Sequence, residues 1–393
     1  MNERIRMINE YESGEYSVSE LAEQYEVSRK TIYKWIERFE ASGWEGLKNQ
    51  SRAPRMHPNA VDAQIQCQLL RLKADKPLWG APKLRHKLLG LIGPERCPAE
   101  STISEILRRH GLSSRRGRAR RAVPSEQPLA HCQQANQVWC ADFKGWFRTG
   151  NGHKCIPLTI SDAHSRYLLC CQGLGAETGF VSVKPLFIQT FREHGLPQAI
   201  RTDNGPPFAS LGLGGLSPLA VWWVRLGIGL ERIEPGAPQQ NGRHERMHRT
   251  LKEATAQPPA RNLSAQQELF DYFRQEYNEE RPHEALGQET PASVYESSPK
   301  PYPERLPEPR GYPEDWERRW VRKGGQIKWQ GRDIPLSKAL WGQELGLKPV
   351  GDGQWEVYFE TLRLGTFDER KSRIEPCRRL ASSGSVESSQ RSE

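Results

Sequence analysis

"VWCADFKGWF" (138–147) marks the point where the chain changes period, from apolar residues recurring at three- and four-residue steps to apolar residues at every second position. Val138, Cys140 and Asp142 share one phase of that alternation, so the strand carries an acid in its apolar phase. An unpaired carboxylate there is costly; a divalent cation relieves the cost, because hard oxygen donors on a rigid sheet suit Mg²⁺. Downstream come "KCIPLTIS", "RYLLCCQGL", a helix at about 178–194, a run ending in "RTDNG", the apolar helix "LAVWWVRLG", a short "LERIEP" and a long helix from about Pro238. Three strands, helix, strand, helix, strand, helix predicts a mixed α/β sheet flanked by helices. Asp203 ends the fourth of these strands and projects beside Asp142 if the two strands are neighbours.

Upstream, the pattern is helical. In "SVSELAEQYEVSRKTIYKWIERFEASG" Ser17 and Glu20 make a capping box, "EVS" is a tight turn, and Ser28 caps a helix whose Ile32, Trp35, Ile36 and Phe39 form one face. Arg29, Lys30, Thr31, Tyr33 and Lys34 point outward, which is the form of a helix-turn-helix with its reading helix. Cations in a helix's first turn oppose the macrodipole, and DNA would compensate them; a plain three-helix bundle with a basic face shares the same periodicity. A second helical unit follows, "VDAQIQCQLLRLKADKP", "GAPKLRHKLLGLIG" and "PAESTISEILRRHGL", with Ser101, Ile103, Ile106 and Leu107 in a capped amphipathic helix.

Charge separates these parts. The chain of 393 residues has a net charge of +9, yet residues 1–45 hold six basic against ten acidic side chains and residues 46–121 hold seventeen against five. "RRHGLSSRRGRARR" (108–121) places Arg108, Arg109, Arg115, Arg116, Arg118, Arg120 and Arg121 in one arm suited to phosphates, although a solvated linker has the same composition. Eight cysteines occur without a C-x-x-C pair, so reduced thiols are expected, and no apolar run is long enough to cross a membrane. Toward the other end, "PKPYPERLPEPRGYPEDW" (299–316) is too rich in proline to pack and reads as a linker. Beyond it, alternating runs with an Asp352-Gly353 turn predict a small antiparallel β-barrel.

On the long helix, "QQNGRHERMHRTLKE" offers Glu245, with Asn241, His248, Arg249 and Lys252 on its face and Met247 and Leu251 turned away. Three carboxylates with two Mg²⁺ ions suit phosphodiester chemistry. Neither a P-loop nor a Ser/His/Asp order is present, so ATP-driven and acyl-transfer chemistry lack support. Singly, each acid is weaker: Asp162 suits a turn, Asp203 suits an Asx-turn before Gly205, and Glu231, Glu234 and Glu253 compete for the third place.

Taken together, "VWCADFKGWF", "RTDNGPPF", "PQQNGRHERMHRTLKE" and "YNEERPHEAL" with "TPASVY" resemble the catalytic core of bacterial insertion-sequence transposases in the retroviral-integrase superfamily, and the likeness covers most of residues 1–375. The resemblance implies an RNase H-like fold and a D-D-E triad at Asp142, Asp203 and Glu245, which would be both catalytic and metal-binding. It implies that Asn204 and Gly205 shape the turn, that Asn241 and Gly242 open the helix, and that Arg281, Pro282 and His283 are structural. One departure is that 41 residues separate Asp203 from Glu245, an excess that "SLGLGGLSP" (210–218) accounts for as an inserted loop. No His-His-Cys-Cys unit precedes the core, so no structural zinc is expected.

The expected architecture is multidomain: N-terminal all-α helix-turn-helix units, a central α/β RNase H-like mixed sheet and a C-terminal small antiparallel β-barrel. Its boundaries are 1–50, a helix-turn-helix domain; 58–122, a second basic helical unit; 123–298, the catalytic core; 299–316, the linker; 317–380, the barrel; and 381–393, a disordered tail. The expected function is a DNA transposase that binds its element's inverted repeats, nicks 3′ ends by hydrolysis and joins them to target DNA. Expected partners are double-stranded DNA and a homodimer or larger synaptic assembly, with Mg²⁺ or substituting Mn²⁺, no nucleotide cofactor and no membrane, in a bacterial cytoplasm at the nucleoid. His248, Arg249 and Lys252 join the basic residues above as DNA contacts. The alternative is an inactive or domesticated relative acting as a sequence-specific regulator; a structure-selective nuclease leaves two reading units unexplained.

Overall fold

The computed structural model describes residues 2–49, 60–113, 129, 131–234 and 242–377. Two compact units part after Asp62. In the first, α1 (Asn2–Glu12), α2 (Val18–Gln24) and α3 (Arg29–Gly46) enclose Met7, Ile8, Leu21, Ile32, Ile36 and Leu47. The capping box is made: the Ser17 N–H donates to Glu20 Oε2 at 2.7 Å and the Glu20 N–H to Ser17 Oγ at 3.4 Å. Ser28 Oγ caps α3 by accepting from the Thr31 N–H at 3.3 Å. Arg29, Lys30, Tyr33 and Lys34 are exposed along α3. Thr31 is half-buried, and its hydroxyl meets that of Ser28 at 3.0 Å, so it serves the cap instead of facing outward.

The second unit begins with α4 (Ala63–Asp75), α5 (Ala81–Ile92) and α6 (Glu100–Arg109), packed through Ile65, Leu69, Leu84, Leu88, Ile103 and Ile106. Ala99, not Ser101, stands at the start of α6 and gives no side-chain cap. Arg108 and Arg109 both reach back to Glu105 Oε1, at 2.7 and 3.0 Å, on an exposed surface. The expected arm residues Arg115, Arg116, Arg118, Arg120 and Arg121, and the tail 381–393, lie outside the described residues.

These helices dock on the core that follows them. Trp79 Nε1 donates to Glu276 Oε1 at 2.9 Å, Lys76 Nζ lies 2.7 Å from Glu280 Oε2, and Lys83 Nζ donates to the Pro282 carbonyl. Around that carbonyl, Arg281, Pro282 and His283 are packed between α5 and the core. Burial, aided by Lys83 and Arg281, pushes the His283 pKa down to about 3. His283 therefore folds neutral: its contribution is full above pH 6.5 and is lost as pH falls from there toward 3. By pH 5 the wild type should lose about 2 kcal/mol through this residue. Urea titrations at pH 7 and pH 5 should show a shallower loss for His283→Asn; an equal loss would contradict the assignment.

The core sheet contains β1 (Val138–Phe143), β2 (Phe147–Arg148), β3 (Lys154–Asp162), β4 (Leu168–Leu174), β5 (Ala199–Thr202) and β6 (Gly229–Arg232). Its order is β2-β3-β1-β5-β6, with β4 on the other edge of β3. β1, β5 and β6 run parallel, and β3 is antiparallel to β1 and β4. Period two is obeyed: Trp139 and Ala141 face α7 (Phe180–His194) and α8 (Pro218–Arg225), with Phe187, Phe191 and Trp223. On the opposite face, Cys155 and Cys171 meet Met247 and Leu251 of α9 (Gly242–Thr255) and Phe270 and Phe273 of α10 (Leu263–Gln275). The short α11 (Pro291–Val294) completes this three-layer core.

The segment 299–316 has no helix or strand; its residues 304–311 are exposed, and it is packed only toward its two ends. Leu196 N–H donates to the Lys300 carbonyl at 2.7 Å, Tyr302 lies 6.1 Å from Phe191 ring to ring, and Tyr312 is buried. After it come β7 (Glu317–Trp320), β8 (Gln326–Trp329), β9 (Arg332–Pro335), β10 (Glu344–Gly351), β11 (Gln354–Phe359), β12 (Leu362–Asp368) and β13 (Arg373–Pro376). The expected barrel does not close: the described strands form an open sheet β13-β12-β11-β10-β7 and a separate hairpin β8-β9. The hairpin closes the core by side chains, setting Trp329 5.0 Å from Trp355 and 5.2 Å from Phe367 ring to ring. Arg225 of α8 ties this part to the core, with Nε 3.2 Å from Glu360 Oε1. The Gly-rich loop 210–215 also reaches it, since a Cβ on Gly212 would come 2.5 Å from Ser337 Oγ.

Candidate active site

Asp142 is the point where strand register, helix packing and polar chemistry meet. The parallel register sets Val138 beside Ala199, Trp139 beside Ile200 and Cys140 beside Arg201. Continued two residues past its last pair, the same offset would set Asp142 level with Asp203, one residue beyond the end of β5. Both acids thus stand at the carboxyl ends of neighbouring parallel strands, where open α/β sheets bind ligands.

Asp203 begins a tight turn: its Oδ1 accepts from the Gly205 N–H at 3.1 Å, while Asn204 Nδ2 donates to the Ile233 carbonyl at 2.8 Å. Arg232 holds the far side of that turn, donating from one amino group to the Phe208 carbonyl at 3.3 Å and the Gly215 carbonyl at 3.1 Å. Burial lowers the Arg232 pKa, and the nearby Asp203 opposes the shift. Sequence reading passed over Arg232, which is not distinguished from its neighbours until β6 pairs with β5.

On the other side of Asp142, across the antiparallel pair, stands Thr159. Its Oγ1 lies 2.7 Å from His244 Nε2, 2.6 Å from His248 Nε2 and 3.2 Å from the Asp142 carbonyl. One hydroxyl has one proton and two lone pairs, so all three contacts are satisfied when it donates to the carbonyl and both rings donate Nε2–H to it. His244 Nδ1 then accepts from Ser161 Oγ at 3.3 Å. Burial pushes His244 down to about 3 and His248 to about 2, with His244 and Lys144 adding to the latter, so both rings are neutral at neutral pH.

His248 is thus 4 % exposed and faces the sheet with His244, not the outer face expected for a DNA contact. The i, i+4 spacing of the two histidines was the available signal. Arg249 and Lys252 are exposed, as is Glu245 in the first turn of α9. Among the described residues, Asp142, His244 and His248 are the group whose ligand atoms lie within 4.8 Å of one another; Asp203 and Glu245 are not in it. A cation on the two Nε2 atoms must displace Thr159, to which both are bonded.

Two of the competing acids, Asp162 and Glu231, are otherwise engaged. Buried Asp162 accepts from the Asn136 N–H at 2.8 Å and from the Ser165 N–H and hydroxyl at 2.7 Å each, fastening its turn. Glu231 pairs with Arg201 at 3.2 Å.

Four family models match parts of the chain: a helix-turn-helix domain over 3–55, a homeodomain-like domain over 31–107, an integrase core domain over 226–291 and the C-terminal domain of IS481 family transposases over 317–375. The 31.7 kDa uncharacterized protein of insertion element IS407 from Burkholderia multivorans is 30% identical over 238 residues, 60% of this chain and 81% of that protein. The chain belongs to the insertion-sequence transposases of the integrase superfamily. The transposase is also 30% identical over 179 residues to the 39.2 kDa uncharacterized protein of insertion element IS476 from Xanthomonas euvesicatoria, 45% of this chain and 49% of that one. A simian T-cell lymphotropic virus intasome structure, solved with PP2A regulatory subunit B56 gamma, is 16% identical at a TM-score of 0.36, covering 79% of this chain and all (100%) of that one. Among the described residues, no helix of the transposase is long and apolar enough to cross a membrane.

Proposed function

We propose that the chain binds the terminal inverted repeats of its element, nicks their 3′ ends by metal-dependent hydrolysis and joins the freed 3′-hydroxyls to target DNA. The observation that carries this reading is the level placement of Asp142 and Asp203, beside a helix that is bonded to the sheet at Thr159 and holds Glu245 in its first turn. The donor set fits Mg²⁺, with Mn²⁺ as a substitute, because the carboxylates offer hard oxygens while the imidazole Nε2 atoms are occupied. Bound there, two such ions supply activation of a water or 3′-hydroxyl and stabilisation of the leaving 3′-oxygen.

The chain's own residues position the rest. Asp142 and Asp203 hold the cations, Arg232 and Asn204 fix the aim of Asp203, and the His244–Thr159–His248 cluster fastens α9 so that Glu245 can complete the triad. Arg29, Lys30, Tyr33 and Lys34 read the element end, and Arg249 and Lys252 contact phosphates. Two ends must be brought together, which requires a dimer or larger assembly on the nucleoid; neither ATP nor a protein–DNA bond is needed.

The test is incubation with Mg²⁺ and duplexes carrying the inverted repeats that flank the gene. Nicking and joining are expected; binding with no chemistry would favour a sequence-specific regulator, the reading favoured by the exposure of Glu245 outside the Asp142 cluster. Glu245→Gln should abolish both steps and Glu253→Gln should spare them. The reverse result would reassign the third acid.

A further inference from the structure

We infer that Trp146, with Arg148 and Lys154, is a stacking platform for an unpaired DNA base beside Asp142. The inference rests on the DNA-processing function proposed above and adds to it a recognition element for single-stranded DNA.

The platform begins with a register shift. β1 pairs Phe143 with Leu158, and β2 pairs Phe147 with Cys155, so three residues of the first strand, 144–146, stand against two of β3. The extra residue is a bulge, and Gly145 takes φ +84, a left-handed conformation that suits glycine. Lys144 N–H still donates to the Pro157 carbonyl at 2.9 Å, so the strand is re-aimed without being released. Phe147 returns to the core against Phe270, 6.4 Å ring to ring, while Trp146 remains 60 % exposed four residues past Asp142.

Its surroundings are those of a nucleic-acid site. Lys154 Nζ lies 5.2 Å from the Trp146 ring centroid and the Arg148 guanidinium 5.9 Å. Residues 143–161 contain Lys144, Arg148 and Lys154 and no acid. Among the described residues, none of the ion pairs uses these three cations. A buried tryptophan would be explained by packing, and a lone exposed one by chance. An aromatic raised by a bulge beside two cations offers a ring for any base and charges for the flanking phosphates. When a base occupies the ring, the two long cationic side chains can swing to those phosphates. A nick frees strand ends that can fray from the duplex, which gives the platform its occupant.

The experiment uses the full chain in EDTA, so no chemistry is required, with a duplex bearing a short single-stranded extension that contains 2-aminopurine. Wild type and Trp146→Phe should quench the fluorophore. Trp146→Ala should lose the quench and bind the extended duplex about tenfold more weakly, with blunt-duplex affinity unchanged. Quenching by Trp146→Ala equal to wild type, or equal weakening on blunt and extended duplexes, would overturn the inference. A chain that quenches but neither nicks nor joins in Mg²⁺ would strike the catalytic reading alone.

Discussion

Asp142→Asn and Asp203→Asn should each reduce nicking and strand joining on the order of a thousandfold or more, with affinity for element ends within about twofold of wild type. Both substitutions keep side-chain volume and remove one charge from a cation site. Asp203→Asn is the more searching of the two. The present role of that side chain in the structure is to accept from the Gly205 N–H, and an asparagine oxygen does the same in an Asx-turn. If Asp203 only shaped its turn, the variant would be active. If it is a metal ligand, the turn survives and the chemistry does not. Gel assays of labelled ends, with fluorescence anisotropy for binding, separate these outcomes.

Thr159→Val should have the second largest effect, for a different reason. The side chain keeps its shape but loses the acceptor shared by two buried imidazole N–H groups. Leaving two such donors unsatisfied costs about 2–4 kcal/mol. The loss falls on the α9 contact and not on the hydrophobic clusters, so hydrogen exchange should rise first in 242–255. Strand joining should fall with it, because Glu245 rides on that helix, while binding by the N-terminal helices should persist. Thr159→Ser retains the hydroxyl and should behave nearly as wild type. Unchanged exchange in Thr159→Val would show that α9 is held by Met247 and Leu251 alone.

What the sequence made legible follows from the range of each interaction. The capping box at Ser17 and Glu20 and the apolar stripe of α3 are local, and they form as read. The phase of Asp142 is also local, and the Cys140 and Val138 side chains do share its face of β1. That Asp203 stands near it was read only on the condition that their strands are neighbours, and the parallel pairing of β1 with β5 meets that condition. His248 misled because Arg249 and Lys252 follow it, and polarity alone put the three on one face. The partner that buries it, Thr159, is 89 positions away. Alternation likewise identified the C-terminal strands but says nothing of closure, which depends on whether the edge strands β7 and β13 pair, and they do not. Proline content suggested a linker at 299–316, and what it does not reveal is that Tyr302 and Tyr312 anchor its two ends.

The central claim is that the two aspartates, and not the Asp142–His244–His248 group, hold the catalytic cation. Crystals soaked in Mn²⁺ and recorded for anomalous scattering test it most directly. The account predicts a peak bound by carboxylate oxygens of Asp142 and Asp203, with His244 and His248 still bonded to Thr159. A peak on the two imidazoles and Asp142, with Thr159 displaced, would contradict it.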